Sequence, residues 1–469
     1  MHTQFTLHQL AEPKIAEANQ ILKTCQHYGF CTSGCPTYTL LHDEKDGPRG
    51  RIDLIKEMLE DGGTPKADTV AHIDKCLSCM SCMTTCAVKV DYMHLVDTAR
   101  DYIEENFRRP LPERLLRSSL AYVFTRPRLF RHAMTLGRIA KPLAKLAPAR
   151  LQPILRLVPD KPRKTSHAVP SNAERFAAIG ERKWKVALLA GCVQPELAPN
   201  INAATIDLLT RNGCEVWMPA QIGCCGSLPL HMGKSESARQ LAGNNVRHWG
   251  ALLQSEGLDA IIVNASGCGT TVKDYAHLLK DDPELAGLAK QVSAKAKDIS
   301  EWLVEMALPE PTTPRRYRLA YHDACSLRNA QKITNQPRAL LKRAGFEVVD
   351  VPEAHFCCGS AGTYNMFQPE IAKQLGERKS NHIASTSPQM VAAGNIGCIT
   401  QIGLHSATPI VHTVELLAWA YGGPLPVALE GVELQELAAP APQEVEKTEQ
   451  APSASMPGSA PAPDDLGVW

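Results

Sequence analysis

Four closely spaced cysteines form the densest group of reactive side chains in this sequence. The segment CLSCMSCMTTCA, residues 76–87, has the spacing C-x2-C-x2-C-x3-C, given by Cys76, Cys79, Cys82 and Cys86. In proteins that bind two iron-sulfur clusters, the first three thiolates of such a run hold one cluster and the fourth turns to the other. A zinc site would not require the third and fourth cysteines. The spacing therefore predicts a 4Fe-4S cluster.

A second loop, upstream of the first, repeats this pattern with one cysteine missing. The segment CQHYGFCTSGCP, residues 25–36, has Tyr28 where the second cysteine would stand. If each loop gives its last cysteine to the cluster of the other loop, two ligand sets follow. The complete set is Cys35, Cys76, Cys79 and Cys82, and the three-thiolate set is Cys25, Cys31 and Cys86.

The three-thiolate set leaves one iron corner without a cysteine, and three outcomes remain open. The corner iron is absent, giving 3Fe-4S; or water, His27 or Tyr28 keeps it, giving an open-site 4Fe-4S cluster; or the first cluster is lost and Tyr28 simply packs. We favour 3Fe-4S, because neutral tyrosine is a poor match for an iron that thiolates normally hold.

Eight further cysteines form an internal repeat around two Cys-Cys-Gly (CCG) motifs. The first copy contains Cys192, Cys224, Cys225 and Cys268, and the second contains Cys325, Cys357, Cys358 and Cys398. The copies are offset by 133, 133 and 130 residues, which indicates a duplication. A disulfide between adjacent cysteines is strained and does not explain the distant partners, so further clusters are expected in this half. The remaining cysteine, Cys214, is predicted to be a small buried residue of a strand.

Local periodicity predicts the elements that position these cysteines. In PRGRIDLIKEMLEDGG the apolar residues recur at helical spacing, and MHLVDTARDYIEENF has the same period, so the two loops are predicted to lie in an α-helical ferredoxin-type domain. In the repeated half, short apolar runs such as KVALLAGC and AIIVNASGC alternate with helical stretches, which predicts two tandem α/β domains with parallel sheets. Their cysteines would follow the carboxyl ends of strands, where ligands collect. Gly226 and Gly359 would let the backbone approach a cluster closely.

Composition limits the kind of protein. The chain has 469 residues, 44% of them hydrophobic, and a formal net charge of +1, which predicts several globular domains and no nucleic-acid partner. The first residues have no apolar core behind a basic region, and no apolar run approaches the ~18 residues of a membrane span. We therefore expect a cytoplasmic protein, either free or peripheral on the inner face of the cell membrane. No glycine-rich nucleotide loop follows a strand, so no flavin is expected on this chain.

Two segments differ from the rest in charge. Residues 108–164 hold fifteen Lys and Arg against two acids, which fits either a solvated arm or a basic amphipathic surface for anionic lipid or an acidic partner. The Pro- and Ala-rich C-terminal segment is acidic and is predicted to be disordered. The predicted domains are residues 1–107 (ferredoxin-type, two clusters), 108–180 (basic arm), 181–313 (first CCG domain), 314–425 (second CCG domain) and 426–469 (disordered tail).

The order of these motifs resembles the family of bacterial glycolate oxidase iron-sulfur subunits, within a larger group that includes heterodisulfide reductase subunits. The matching stretches are CPTYTLLHDEKDGPRGRIDLIKEML, RRPLPER, NASGCG and CCGSAGTY, and the resemblance covers about residues 20 to 420. It implies an electron-transfer component of a 2-hydroxy-acid dehydrogenase complex, with FAD-containing oxidase subunits as partners and membrane quinone as the acceptor. The sequence departs from the family at Tyr28, where cysteine is usual, and at Ala87, where proline is usual; both departures concern the first cluster.

Two rival interpretations and two histidines stay open at this stage. The duplicated CCG scaffold also suits a catalytic heterodisulfide or thiol reductase, but Ala265 and Asn395 occupy the position where that group has a fifth thiolate. A CCG half without clusters, serving only as an interaction module, is a third interpretation. His322 and His412 could tune or bind a cluster, although a buried histidine is more often held by ordinary hydrogen bonds.

Overall fold

The N-terminal part of the chain is helical, as its periodicity predicts. The computed structural model describes residues 1–146, 148, 151–160 and 174–438. The α-helices up to residue 106 are α1 (Leu7–Leu10), α2 (Pro13–Thr24), α3 (Phe30–Ser33), α4 (Pro36–Leu41), α5 (Pro48–Asp61), α6 (Ala67–Asp74), α7 (Ser81–Thr84) and α8 (Tyr92–Asn106). Helix α5 begins at a proline and ends before Gly62, whose φ of 68° terminates it. Its apolar face packs with that of α8 in one core, so both helix predictions are confirmed.

A helical arm follows this domain. It comprises α9 (Leu111–Phe124), α10 (Pro127–Ala140), a 3-10 helix at Lys141–Leu146 and α11 (Gln152–Leu157). Phe130, Met134 and Val158 form a small apolar core on its inner side, against Val193 and Leu197 of the next domain. None of the helices within the described residues is long and apolar enough to cross a bilayer.

The first α/β unit is built around one mostly parallel sheet. Its strands are β1 (Arg175–Phe176), β2 (Trp184–Leu188), β3 (Cys214–Trp217), β4 (Ala260–Val263) and β5 (Ala296–Asp298), in the order β1-β3-β2-β4-β5. The helices are α12 (Gln194–Leu197), α13 (Pro199–Arg211), α14 (Ser227–His231), α15 (Ser235–Glu256), α16 (Ser266–Lys273), α17 (Tyr275–Leu278), α18 (Ala286–Lys295) and α19 (Ile299–Glu305). Only β1 is antiparallel among these strands. Cys214 opens β3 and is fully buried, which confirms that prediction.

The second α/β unit repeats this topology without the extra edge strand. Its strands are β6 (Arg318–His322), β7 (Glu347–Asp350), β8 (Met390–Ala393) and β9 (Ile410–His412), in the order β7-β6-β8-β9 and all parallel. The helical elements are a π-helix at Ser326–Ala330, α20 (Gln336–Arg343), α21 (Tyr364–Phe367), α22 (Pro369–Ala384), α23 (Ile396–Gly403) and α24 (Thr413–Ala420). The predicted fold class, a helical ferredoxin-type domain followed by two parallel α/β domains, is therefore confirmed.

Alternation along the strands explains how the two α/β units join. In β2, Val186 and Leu188 face a core shared with the second unit, whereas Ala187 turns to the opposite face under α15 and α18. Helices α13 and α24 pack against each other within the shared core. Both faces of the first sheet are thus covered, as a parallel sheet requires.

The tail prediction needs a correction over its first residues. A 3-10 helix spans Val427–Leu429, and the side chain of Leu429 is only 1% exposed. The backbone N–H of Leu437 donates to the carbonyl oxygen of Arg316 at 2.7 Å. These contacts hold the segment on the second unit, because burying a leucine and pairing backbone groups outweighs its polar composition. Residues 439–469, the rest of the predicted tail, lie outside the described residues.

Candidate iron-sulfur centres

The two N-terminal cysteine loops have the same backbone conformation. His27 and Ser78, fifty-one positions apart, have φ angles of 55° and 47°. Gly29 and Met80 also have positive φ angles, of 81° and 57°, and each caps the short helix that follows. Left-handed backbone at both matched positions is uncommon for residues other than glycine. The loops are therefore equivalent in structure as well as in spacing, and Tyr28 stands at the place of the second cysteine.

The complete set of four thiols comes together in one buried pocket, which we call site 2. Its thiols are Cys35, Cys76, Cys79 and Cys82. Burial and then the neighbouring thiols, Cys79 first, raise the pKa of Cys82 well above its usual range. Four such thiols cannot all ionise in a buried place without a compensating cation. An iron-sulfur cluster, whose irons bind thiolates, fits this set of donors.

Two residues that the sequence did not single out surround site 2. Arg51 is almost completely buried; its Nε donates to the His72 carbonyl oxygen at 2.8 Å and its Nη1 to Thr37 Oγ1 at 3.1 Å. Tyr92 Oη lies 3.7 Å from Cys76 Sγ. Arg51 precedes Ile55 by four positions, so helical spacing could have placed it on the buried face of α5.

The three-thiolate set forms a second pocket, site 1, beside the first. Cys25, Cys31 and Cys86 line it together with Tyr28 and His27. Burial raises the pKa of the Cys31 thiol, and the neighbouring thiols of Cys25 and Cys86 raise it further by smaller amounts. Tyr28 is 62% exposed, so it is not an ordinary packed aromatic residue, and the Tyr28 side of site 1 faces solvent.

The first CCG site lies where the loops after β2, β3 and β4 meet. Its thiols are Cys192, Cys224, Cys225 and Cys268. The neighbouring thiols of Cys192 and Cys225 hold the pKa of Cys224 well below its usual range, whereas the interaction with Cys224, followed by burial, raises the pKa of Cys192. The strands thus bring together donors that are distant in sequence.

The second CCG site is built in the same way after β6, β7 and β8. Its thiols are Cys325, Cys357, Cys358 and Cys398, and Cys325 Sγ lies 3.8 Å from Cys357 Sγ. Asn395, at the position of a fifth thiolate, instead points Nδ2 toward Cys398 Sγ at 3.6 Å. Both CCG sites offer four buried or half-buried thiols that a cluster could bind, and neither has a fifth cysteine at this position.

The two CCG glycines take a backbone conformation that favours glycine and pack closely against helices. Gly226 and Gly359 have φ angles of 86° and 89°, in the left-handed region that favours glycine. A Cβ atom on Gly226 would lie 3.0 Å from the Ala238 carbonyl oxygen, and one on Gly359 would lie 2.6 Å from that of Ala372. The glycines therefore allow close packing against α15 and α22. The Gly226 N–H also points toward Cys224 Sγ at 3.5 Å, and the close approach of this backbone to a cluster stays a prediction.

The two buried histidines differ in their hydrogen bonds. His412 Nε2 lies 2.9 Å from the Asn264 carbonyl oxygen, and His412 Nδ1 accepts from the Val414 N–H. His322 has no hydrogen-bond partner for either ring nitrogen within the described part of the chain. Burial, with a smaller effect of Lys379, lowers the pKa of His322 to about 3.

Three of the four thiol sites adjoin one another: site 1, site 2 and the second CCG site. Cys82 lines both site 1 and site 2. Site 2 packs directly on the second CCG site, because Leu77, Cys79, Cys357 and Tyr364 share one apolar cluster. Asn329 Nδ2 fixes this contact by donating to the Cys79 carbonyl oxygen at 2.9 Å.

A large cavity separates the two CCG sites. Its volume is about 1080 Å³, and the cysteines of both CCG sites line it. The arm covers it with apolar side chains, including Phe124, Phe130 and Met134, and the Cys76–Ser78 loop of site 2 forms another part of its wall. No local pattern in the sequence indicates this cavity, because it forms between the ferredoxin-type domain, the arm and both CCG domains.

Family comparisons agree with this arrangement. Residues 21–90 match a 4Fe-4S dicluster domain, and residues 186–273 and 319–403 each match the CCG cysteine-rich domain. The chain therefore carries a 4Fe-4S domain and two CCG domains. A crystal structure of a hypothetical protein from Helicobacter pylori shares the fold, with a TM-score of 0.51 and 10% identity, over 88% of this chain and 73% of that one.

Several known proteins are similar to this chain in sequence over long stretches. The glycolate oxidase iron-sulfur subunit of Escherichia coli (strain K12) is 41% identical over 421 residues, which is 90% of this chain and 99% of that protein. The probable glycolate oxidase iron-sulfur subunit of Bacillus subtilis (strain 168) is 33% identical over 86% of this chain and 94% of its own. Lactate utilization protein A of Oceanobacillus iheyensis is 28% identical over 50% of this chain and 96% of its own.

Proposed function

The chain belongs to the family of glycolate oxidase iron-sulfur subunits, and on this premise we propose that it carries electrons from a separate flavoprotein subunit toward membrane quinone. The flavoprotein would oxidise a 2-hydroxy acid, and this chain would receive the electrons released. The observation that supports this best is the row of adjoining thiol sites, from site 1 through site 2 to the second CCG site.

Each site would hold a cluster through the thiols that meet there. Site 2 would hold 4Fe-4S, site 1 would hold 3Fe-4S or an open-site 4Fe-4S cluster, and each CCG site would hold a further cluster. When bound, such clusters accept and release single electrons. The protein itself supplies the thiolates, keeps water away from site 2 and places the buried positive charge of Arg51 beside it.

Site 1 is the place where electrons would arrive from the flavoprotein. Its open corner faces solvent, and two aromatic side chains, Tyr28 and Phe30, stand beside it, each 62% exposed. Their ring centroids lie 6.3 Å apart. Exposed aromatic residues are enriched at the centres of protein interfaces, so this face suits a protein partner.

The arm suits contact with an anionic membrane. Its outer side exposes apolar side chains, Leu115, Tyr122, Leu136, Ile139 and Leu143, and it also exposes arginines, Arg114, Arg126, Arg128 and Arg131. Exposed leucines next to arginines bind the membrane–water interface, because the leucines insert among the lipids and the arginines are attracted to anionic headgroups. Such a surface favours membrane binding over the alternative of an arm that is only solvated. Attachment there would bring the cavity, and the CCG sites that line it, close to membrane quinone.

The purified chain alone should neither oxidise glycolate or lactate nor reduce a dye with them. The co-purified complex with its flavoprotein should do both. Iron and sulfide analysis of the anaerobically purified chain should exceed the eight or so irons that two ferredoxin-type clusters supply at most. Turnover by the isolated chain would overturn the electron-transfer assignment.

The cavity of about 1080 Å³ favours a second candidate, a thiol or disulfide reductase that uses a CCG cluster. A small molecule would find thiol sites on both sides of this space. The absence of a fifth cysteine at Ala265 and Asn395 weighs against it. The discriminating assay offers disulfides of low-molecular-weight thiols to the reduced chain; reoxidation of its clusters by these disulfides, with release of thiols, would favour the reductase.

A further inference from the structure

His322 is a buried side chain whose ring makes no hydrogen bond within the described residues. It is the last residue of β6, and it is 1% exposed. Neither Nδ1 nor Nε2 has a hydrogen-bond partner within the described residues. A polar group buried in this way is costly unless something else binds it.

The unpaired imidazole points at the second CCG site. One of its ring nitrogens and the sulfur atoms of Cys358 and Cys398 all lie within 4.8 Å of one another. In the sheet, His322 is paired with Ala393, two residues before Asn395. The imidazole on β6 therefore lies beside the end of β8. That strand leads to Asn395, which stands at the position of the missing fifth thiolate.

Among the described residues, no histidine lies with the thiols of the first CCG site as His322 lies with those of the second. Position 189, which is 133 residues before His322, is Leu189. It belongs to the same apolar cluster as Cys225, with Cys268 packed against that cluster. A leucine thus satisfies the packing at this place, so packing alone does not require a histidine in the second copy.

We propose that His322 binds an iron of the cluster in the second CCG domain through a ring nitrogen, which gives this site four thiolates and one imidazole. The proposal rests on the cluster assignment made above. Imidazole nitrogen is a suitable ligand for iron, and as a neutral donor it adds no negative charge to the cluster, whereas a fifth thiolate would add one.

The test is pulsed EPR on the whole chain, with the second CCG cluster brought to its paramagnetic state. In wild-type protein, selective 15N-labelling of histidine should convert the 14N hyperfine coupling of the cluster into a 15N coupling, as expected for a nitrogen bound directly to iron. Labelling separates histidine from Asn395 and Lys379, which also bring nitrogen atoms near these thiols. Wild-type protein suffices for this step, so it does not depend on the folding of a variant.

Variants then assign the signal to one residue. His322→Leu, which copies the first domain, should lose the coupling and keep most of its iron, while His355→Gln, two positions before Cys357, should keep both. His322→Cys should keep the iron, lose the coupling and lower the potential of the centre.

Two results would overturn the proposal, and they are distinguishable. A cluster that is present in the second CCG domain but shows no bound histidine nitrogen, or keeps that coupling in His322→Leu, contradicts the imidazole ligand alone. If Cys357→Ser and Cys398→Ser leave the iron content and all EPR signals unchanged, no cluster is held there. That result overturns both the cluster assignment and the ligand.

Discussion

At the scale of single residues, the chemistry depends on a few side chains whose surroundings decide their effect. Tyr28 matters because it stands in a cysteine position and is exposed, whereas Cys79, at the matching place in the other loop, is buried against the second CCG domain. Arg51 matters because it is buried. It lies between site 2 and Asp46, and its Nη2 is 3.6 Å from Asp46 Oδ1. The same loop fold thus gives two thiol sites with different side chains at the second position and different solvent access.

Tyr28→Cys should convert the cluster of site 1 to a complete 4Fe-4S cluster. The new thiolate would fill the open corner, so the EPR signal of an oxidised 3Fe-4S centre should disappear and the iron content should rise by one. The potential of the centre should fall, because a fourth thiolate adds negative charge. Phe30→Cys, which adds an exposed thiol two residues away, is the control and should change none of these. Identical iron content and spectra in Tyr28→Cys and wild type would show that Tyr28 is not at a ligand position.

Arg51→Gln should lower the reduction potential of the site 2 cluster, because a positive charge beside a centre favours its reduced form. It should also destabilise the protein by about 3 kcal/mol, the cost of breaking a buried ion pair. Asp46 keeps partners in His72 and Lys75, at 2.7 Å and 2.9 Å, so folding should survive. Redox titration followed by EPR measures the shift, and Lys56→Gln on the same helix should leave the potential unchanged.

At the scale of elements, contacts between helices of different domains hold the thiol sites in position. His94 of α8 lies between Asp91 and Asp274, with ring nitrogens 2.6 Å and 3.2 Å from their carboxylates. Its ring stacks on His277 of α17 at 3.6 Å, and His277 in turn contacts Glu17 of α2. Although burial opposes the charge, hydrogen bonds to Asp274 and Asp91 raise the pKa of His94 to about 10.

The stability contributed by His94 should therefore depend on pH. A raised pKa means that the contribution is complete below the ordinary value near 6.5 and is lost as the pH rises toward 10. His94→Gln should cost on the order of 3 kcal/mol at pH 6 and little at pH 10. Unfolding by urea at both pH values measures this, with the exposed His132→Gln as the control. An equal cost of His94→Gln at the two pH values would contradict the ion pairs.

The arm gives a prediction about membranes. Leu136→Asp with Ile139→Asp should reduce binding to anionic vesicles at least tenfold, because both side chains are about two-thirds exposed, at 66% and 70%, and available for insertion. The control is His132→Asp with Thr135→Asp, which adds the same two negative charges at exposed positions of the same helix. Vesicle flotation with anionic and neutral lipid separates insertion from charge. If the Leu136→Asp/Ile139→Asp double variant floats like wild type, this face of the arm does not bind the membrane.

Local sequence patterns predicted the helices and strands better than they predicted the contacts between distant segments of the chain. The helical spacing in α5 and the apolar runs before the cysteines were sufficient for the fold class, because each depends on neighbours in sequence. The exposure of Tyr28, the packing role of Gly226 and the place of Leu429 depend on chain segments far away. No period or motif encodes such contacts, so they became evident only in the folded chain.

At the scale of the whole molecule, the order of domains along the chain is not the order of the sites in space. Site 2 contacts the second CCG domain through Cys79 and Asn329, whereas the N-terminal domain reaches the first CCG domain through the ion pairs of His94. The arm covers the cavity between the two CCG sites. An electron moving from site 1 would therefore reach the second CCG site before the first.

The most direct test of this account is rapid-freeze EPR on the complex of this chain with its flavoprotein, mixed with glycolate or lactate. In the wild-type complex, signals of reduced clusters should appear in the ferredoxin domain and then in the second CCG domain. With Cys79→Ser, which removes a thiolate of site 2, the flavin should still be reduced while the CCG clusters stay oxidised. Reduction of the CCG clusters at the wild-type rate in that variant would contradict the path and the function proposed for the chain.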